Sequence, residues 1–147
     1  MNAVRRTQIL VIEDNPDAAA LVVCTLESAG YEVKVEGGGR SGLRYAIAHP
    51  VDLIVLDVRL PDVHGYQVCD DLRKHFGDIR VPIVMLTVMD EPIDKLRGLT
   101  VGADVYLTKP FEPRQLLDVV ARLLKGEWIR QPSKTRTQRS DALERLF

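Results

Sequence analysis

Five polar side chains suited to metal and phosphate chemistry stand at or just after the ends of short apolar runs: Glu13, Asp14, Asp57, Thr87 and Lys109. Three carboxylates in one crevice would repel one another, and one would be driven towards protonation unless a cation neutralised them. Oxygen ligands without histidine or cysteine favour magnesium, which keeps several waters and bridges to phosphate. Lysine adds a positive charge to such a site, and threonine adds a hydroxyl donor. Because a carboxylate can itself accept a phosphoryl group, the set predicts magnesium-dependent phosphoryl transfer.

The apolar run 53–56 leads directly into Asp57. A stretch without a polar face is typical of a central parallel strand that is covered on both sides. Asp57 would then lie at the carboxyl end of that strand, where open α/β sheets bind their ligands. The run alone also fits a simpler interpretation, in which Asp57 and Pro61 form the turn that ends the strand.

Four other apolar or alternating stretches predict the remaining strands, at 8–12, 31–35, 81–86 and 105–107. Helical spacing of apolar residues predicts five helices, each following one strand, with the fourth helix over 90–99. This alternation predicts an α/β fold of βαβ units with right-handed crossovers and a mostly parallel sheet. Since parallel strands point the same way, the five polar side chains should converge at one edge of the sheet.

Local features accompany the first two helices. Asp14 or Asn15 can cap the first helix, with Pro16 near its first turn. The three glycines at 37–39 lack the GxGxxG or GKS/T context of a phosphate-binding loop, and we interpret them as a flexible turn. Three apolar residues support a short second helix: Leu43, Ala46 and Ile47.

The composition argues against several classes of protein. At 147 residues the chain fits one domain, and 20 Lys and Arg against 21 Asp and Glu give no electrostatic reason to expect nucleic acid as a partner. No apolar run approaches the roughly 18 residues of a membrane span, and residues 1–6 lack the apolar region of a signal peptide. Cys24 and Cys69 have no metal-binding spacing and are predicted to be buried thiols in a reducing compartment. We therefore expect a cytoplasmic protein that does not itself bind nucleic acid or membrane.

At these residues the sequence resembles the response-regulator receiver domain of two-component signalling, as in the chemotaxis regulators. The resemblance covers about residues 7 to 125 and depends on an ordered set of motifs: Glu13-Asp14, Asp57 with Leu60-Pro61 and Gly65, Thr87, Gly102-Ala103-Asp104, and Tyr106 with Lys109-Pro110-Phe111. It implies a flavodoxin-like fold with five parallel strands in the order 2-1-3-4-5 and helices on both faces. It also implies a signalling switch rather than an enzyme, with only slow self-catalysed phosphotransfer and dephosphorylation.

The resemblance assigns metal-binding and acceptor roles to four residues. Asp57 would accept a phosphoryl group from a phosphohistidine of a sensor histidine kinase or a phosphotransfer protein. Magnesium, or manganese in its place, would be bound directly by Asp14, Asp57 and the Arg59 backbone carbonyl. Glu13 would act on the metal mainly through water.

The resemblance also implies how a phosphoryl group is bound and sensed. Thr87, the backbone of Val88 and Lys109 would contact the group, and the Lys109-Pro110 peptide bond would be cis. Thr87 and Tyr106 resemble a switch pair, in which the hydroxyl turns towards the phosphate and the ring moves inward. The surface of the fourth helix, fifth strand and fifth helix would then change, and it is a candidate surface for a homodimer. Two simpler interpretations stay open: Thr87 merely ends a strand, and Tyr106 is an ordinary edge aromatic.

The chain is predicted to divide into a receiver domain at 1–125 and a basic linker or tail at 126–147. Residues 141–147 have the capping and apolar spacing of the start of a helix, although a disordered end explains the tail equally well. One alternative is that the sequence is the N-terminal fragment of a longer response regulator with a DNA-binding or enzymatic output domain. Another is a magnesium-dependent aspartyl-phosphate phosphatase, a class expected to carry an acid where Arg59 stands.

Overall fold

The computed structural model describes residues 5–77, 79–88 and 102–127, and it contains a five-stranded sheet covered by helices on both faces. The elements, in chain order, are β1 (Gln8–Ile12), α1 (Pro16–Ser28), β2 (Glu32–Glu36), α2 (Gly39–Ala48), β3 (Leu53–Asp57), α3 (Gly65–Phe76), β4 (Ile83–Val88), β5 (Val105–Lys109) and α4 (Pro113–Leu124). All neighbouring strands are parallel, in the order β2-β1-β3-β4-β5. The predicted fold class and strand order are therefore confirmed. The helix predicted over 90–99 and the tail from residue 128 onward lie outside the described residues.

The sheet is buried on both faces, which explains the unbroken apolar runs in its strands. All four residues from Leu53 to Leu56 of β3 are 0% exposed. Alternate strand residues enter two separate cores: Ile54 packs in the core shared with α2 and α3, and Val55 packs in the core shared with α1 and α4. In the part of the chain that the structure describes, we find no helix with the length and apolar character of a membrane span.

The N-terminus of α1 is capped by Asn15, one of the two residues that the sequence offered for this role. Its side-chain oxygen accepts hydrogen bonds from the backbone amides of Asp17 and Ala18, at 2.9 and 3.0 Å. Pro16 is the first residue of the helix, where its missing N–H group leaves no donor unsatisfied. The carboxylate of Asp14 therefore does not cap the helix, and it can join the other carboxylates at the carboxyl ends of the strands.

The strands β4 and β5 extend further than their apolar runs indicate. Thr87 and Val88 belong to β4, where they pair with Thr108 and Lys109 of β5. Polar residues continue these strands because their backbones still form the parallel ladder. Thr87 and Lys109 are therefore fixed by sheet pairing, rather than lying in loops after the strands.

Two local predictions are wrong, at the glycine run 37–39 and at Cys24, because residue type alone does not fix the tertiary contacts of a residue. Gly39 is the first residue of α2, so the glycine run 37–39 is not simply a flexible turn. The short second helix predicted from Leu43, Ala46 and Ile47 is confirmed as α2, and Ile47 lies on its exposed side. Cys24 is exposed on α1, whereas Cys69 is buried as predicted, and its burial raises the pKa of the thiol to about 11.

Candidate functional site

Three carboxylates meet at the carboxyl ends of two neighbouring strands. Glu13 and Asp14 directly follow β1, and Asp57 is the last residue of β3, which pairs with β1. Each of the three offers an oxygen that lies within 4.8 Å of the other two. Glu13 and Asp57 are buried and Asp14 is exposed, so the cluster opens to solvent on one side. The convergence expected from the parallel sheet is present.

Lys109 reaches this cluster from the end of β5, two strands away from β3. Its Nζ atom donates to Oε2 of Glu13 at 3.2 Å and to Oδ2 of Asp57 at 3.4 Å. The lysine side chain is 26% exposed, whereas the Glu13 side chain is 1% exposed. One ammonium group is thus shared between two buried carboxylates.

The electrostatics of Glu13 indicate that this single cation does not balance the cluster. Burial, followed by the hydrogen bond and the negative charge of Asp57, raises the pKa of Glu13 from 4.5 to about 7. The charge of Lys109 opposes this rise but is the weaker influence. A divalent cation would favour the ionised carboxylate, and three carboxylates with no nitrogen or sulfur donor suit a hard cation such as magnesium or manganese.

The loop 58–64 directly follows Asp57, and its backbone contacts the Asp57 carboxylate. The backbone amide of Arg59 donates to Oδ1 of Asp57 at 3.2 Å. At the far end of the loop, the Gly65 amide donates to the Val58 carbonyl at 2.8 Å. A Cβ atom on Gly65 would lie 2.5 Å from the Asp57 carbonyl oxygen and 2.7 Å from the Val58 Cα atom, so only glycine permits this approach.

Thr87 and Tyr106 lie on neighbouring strands, on the same face of the sheet. Thr87 pairs with Thr108, and Tyr106 pairs with Met85, so the two side chains are diagonal neighbours. Thr87 is 2% exposed, and its hydroxyl donates to the Val88 carbonyl at 3.3 Å. Tyr106 is half-buried and packs against the core on the α2 and α3 side. The Lys109-Pro110 peptide bond is cis.

A cluster of charged residues around the buried Asp104 carboxylate lies at the amino ends of the strands, opposite the candidate site. It was not predicted. The Asp104 side chain, 3% exposed, accepts from Arg73 of α3 at 2.6 Å and from the Ile83 amide at 2.7 Å. Arg80 also contacts this carboxylate. Asp104 was noticed only as part of a motif, because nothing local in the sequence indicates an arginine that lies 31 residues earlier in the chain. The cluster fixes α3 to the amino ends of β4 and β5.

The site and the sheet that carries it define a response regulator receiver domain, and the chain belongs to that family, which it matches over residues 9–121. It is 42% identical over 126 residues to the alkaline phosphatase synthesis transcriptional regulatory protein PhoP of Bacillus subtilis, covering 86% of this chain and 52% of PhoP. It is 37% identical over 128 residues to the response regulator ArlR of Staphylococcus aureus, covering 87% of this chain and 55% of ArlR. The chain thus spans about half the length of these curated relatives.

Solved structures of the same fold include a chemotaxis protein and the receiver domain of a sensor histidine kinase. The chemotaxis protein CheY4 of Vibrio cholerae has a TM-score of 0.75 and 34% identity, over 80% of this chain and 98% of that one. The receiver domain of a sensor histidine kinase from Pseudomonas aeruginosa has a TM-score of 0.76 and 32% identity, over 82% of this chain and 99% of that one. In that structure a magnesium ion is coordinated in the active site cleft.

Proposed function

We propose that this chain is a phosphorylation-controlled signalling switch whose phosphoacceptor is Asp57. The observation that carries the proposal is the contact of the buried Asp57 carboxylate with Lys109, beside two further carboxylates. The donor would be a phosphohistidine of a sensor histidine kinase or of a phosphotransfer protein. Membership of the receiver family supports this class of donor.

In the proposed reaction, a carboxylate oxygen of Asp57 forms a bond to phosphorus while the bond from phosphorus to the donor imidazole nitrogen breaks. The electron pair of that bond stays on the nitrogen, and the donor, protonated on its other ring nitrogen, leaves as neutral imidazole. Lys109, already 3.4 Å from Asp57, would pair with an oxygen of the transferred group. The Thr87 hydroxyl and the Val88 backbone amide would donate to its other oxygens.

We assign the metal to Asp14, Asp57 and the Arg59 backbone carbonyl, with Glu13 acting through water. Bound magnesium or manganese would supply the positive charge that phosphoryl transfer between anions requires. The all-oxygen donors and the raised pKa of Glu13 support this assignment. The magnesium in the Pseudomonas aeruginosa receiver supports it independently.

The test is the intact mass of the protein after incubation with magnesium and acetyl phosphate. We expect one added phosphoryl group in the wild type and none in Asp57→Asn. Asp71→Asn, on the surface of α3, is the matched control and should still be phosphorylated. An adduct that survives Asp57→Asn would contradict the proposal, and sustained hydrolysis of phosphate esters would indicate a phosphatase instead.

We further propose that the signal leaves through Thr87 and Tyr106. The buried hydroxyl and the half-buried ring are diagonal neighbours, so a movement of one can be accommodated by the other. The changed surface would include β5, α4 and the segment 90–99, and it would bind a partner or a second copy of the chain.

A second candidate is that the sequence is the receiver part of a longer regulator. We assign 1–125 to the receiver and 126–147 to a linker that leads to an output domain. The curated relatives that support this view are about twice as long as the matched region, and PhoP is named a transcriptional regulatory protein. Finding that the reading frame continues past Phe147 into a DNA-binding domain would support it. Direct, sequence-specific DNA binding by this chain alone would contradict it.

A further inference from the structure

The helix α2 begins without a capping side chain of its own. Its N-cap residue is Gly38, and the amides of the next two residues, Gly39 and Arg40, have no partner within the helix. The carboxylate of Asp62, from another part of the chain, accepts both amides. Its Oδ1 atom accepts from Gly39 at 2.8 Å, and its Oδ2 atom accepts from Arg40 at 3.0 Å. The hydrogen bonds from Arg40 and Gly39 lower the pKa of Asp62, as expected when the ionised carboxylate accepts both amides.

The glycine run gives Asp62 room to approach. A Cβ atom on Gly38 would lie 3.2 Å from Oδ2 of Asp62. A Cβ atom on Gly39 would lie 2.7 Å from Cγ2 of Val68 and 3.2 Å from Cβ of Val63. Larger residues would therefore separate α2 from the loop and from the first turns of α3. The glycines that looked like a flexible turn instead permit a close contact.

Asp62 lies in the loop 58–64, which begins directly after Asp57. The same loop contains Arg59, whose amide already donates to Asp57 and whose carbonyl we assign to the metal. The two ends of the loop are joined by the hydrogen bond from the Gly65 amide to the Val58 carbonyl. Its middle is tied to α2 by the paired hydrogen bonds of Asp62.

We propose that Asp62 is a positioning residue of the phosphoacceptor site, which ties the loop 58–64 to α2 and so holds the Arg59 backbone beside Asp57. This inference rests on the proposed function. Its physical basis is preorganisation, since a loop that is already ordered loses less conformational freedom when the site binds a metal and a phosphoryl group. In this proposal Asp62 contacts neither the metal nor the phosphoryl group, and it acts through the Arg59 backbone.

Three variants separate positioning from general stability. Asp62→Ala removes both acceptor oxygens, and Asp62→Asn keeps a single oxygen that can still accept from Gly39. Ala46→Gly is the matched control, because it weakens the same helix at a buried position and leaves both hydrogen bonds of Asp62 in place. The measurements are magnesium affinity by calorimetry, and amide hydrogen exchange of Arg59 in the metal-free protein.

We expect Asp62→Ala to weaken magnesium binding about tenfold, the lower end of what outer partners of a metal site contribute. Exchange of the Arg59 amide should become faster in the metal-free protein. Asp62→Asn should lie between Asp62→Ala and the wild type. Ala46→Gly should lower the melting temperature and speed exchange within α2, but leave magnesium affinity and Arg59 exchange unchanged.

Asp62→Ala with magnesium affinity and Arg59 exchange within about twofold of the wild type would overturn the inference. An equal loss of affinity in Ala46→Gly would also overturn it, because helix stability alone would then be the cause. If Asp62→Ala does not fold, Asp62→Asn decides by the same criteria. A wild type that is phosphorylated at Asp57 while the Asp62 variants behave normally would refute only the positioning role. A wild type that never accepts phosphate would refute the proposed function, and the positioning role with it.

Discussion

At the scale of single residues, the site depends on an imbalance of charge. Glu13 is almost completely buried, yet its nearest cation, Lys109, is shared with Asp57. Burial and the neighbouring Asp57 favour the protonated form of Glu13, and the shared charge of Lys109 opposes them only in part. The pKa of Glu13 therefore rises to about 7. Proton and metal ion are therefore expected to compete for the same cluster.

The first prediction concerns the pH dependence of stability. The folded-state pKa of Glu13, about 7, lies above its ordinary value of 4.5, so its contribution is fully present below pH 4.5 and is lost as pH rises through 7. We expect the metal-free protein to lose about 1–3 kcal/mol of this contribution between pH 5 and pH 8, and magnesium to offset the loss at pH 8. Urea unfolding at the two pH values, with and without magnesium, measures this. Glu13→Gln should remove the effect, and an unchanged pH dependence in that variant would assign it to another group.

At the scale of elements, two close contacts hold the chain beside Asp57, the proposed phosphoacceptor, in place. The start of α3 lies against the end of β3 at Gly65, and the start of α2 lies against the loop 58–64 at Gly39. Neither contact involves a catalytic side chain. At both glycines the neighbouring atoms lie too close for a Cβ atom to fit without a shift. The position of Asp57 therefore depends on packing against α2 and α3, which contribute no side chain to the site.

The second prediction tests the contact between α3 and β3. In Gly65→Ala the new methyl group would meet the Asp57 carbonyl oxygen at 2.5 Å, and backbone cannot move aside as a flexible side chain can. We expect a loss of about 2 kcal/mol or more in unfolding free energy, together with slower phosphorylation of Asp57. Urea unfolding and intact mass measure the two effects. Gly37→Ala, where a Cβ atom meets nothing within 4 Å, is the control and should be nearly neutral. Equal behaviour of the two variants would show that the approach is not tight.

The third prediction tests the ion cluster at the opposite edge. Asp104→Ala would leave Arg73 and Arg80 without their shared carboxylate and the Ile83 amide without its acceptor. We expect a loss of about 3–5 kcal/mol in unfolding free energy, as when one partner of a buried pair is removed.

Magnesium affinity should not change in the folded Asp104→Ala protein, because the cluster lies at the amino ends of the strands. The control is Asp118→Ala, whose exposed pair with Arg122 should contribute less than about 1 kcal/mol. Weaker magnesium binding in Asp104→Ala would show that the two edges are coupled.

At the scale of the whole molecule, the proposed switch requires that a charge added at the carboxyl ends of the strands changes a surface that a partner can bind. Thr87 lies beside Asp57 in the sheet order, since β4 pairs with β3, and Tyr106 lies one strand further out. Neighbouring strands therefore connect Asp57, the proposed phosphoacceptor, with the edge strand β5. Coupling between two sites shifts an existing equilibrium between two conformations of the protein, typically by about 1–3 kcal/mol.

The fourth prediction is that Thr87→Ala still accepts phosphate at Asp57 but transmits it weakly. Amide hydrogen exchange, with and without a phosphate mimic, should change around Val105 and Tyr106 in the wild type and much less in the variant. Ile93 and Leu96, predicted to belong to the same surface, lie outside the described residues and are read out by the same experiment. Thr25→Ala, a buried threonine on α1, is the control and should respond as the wild type does. Equal changes in wild type and Thr87→Ala, or changes confined to α1 and α2, would exclude this route.

The sequence alone determined which side chains meet at the site. Short unbroken apolar runs favour strands buried on both faces. Their alternation with helical patterns predicts a parallel sheet, and parallel strands bring their carboxyl ends to one side of that sheet. From this order the convergence of Glu13, Asp14, Asp57 and Lys109 follows without any coordinates. The expected fold class is confirmed for the same reason.

Only the tertiary structure decided how these groups pair and what holds them. Lys109 contacts Glu13 as well as Asp57, and Asp62 caps a helix that begins 23 residues before it in the chain. Local propensity also failed at Gly39, which begins a helix because a distant carboxylate caps it and a neighbouring helix packs against it. Hydrogen bonds and close packing depend on distances between chain-distant atoms to within tenths of an ångström, and the pattern of residue types along a sequence does not contain those distances.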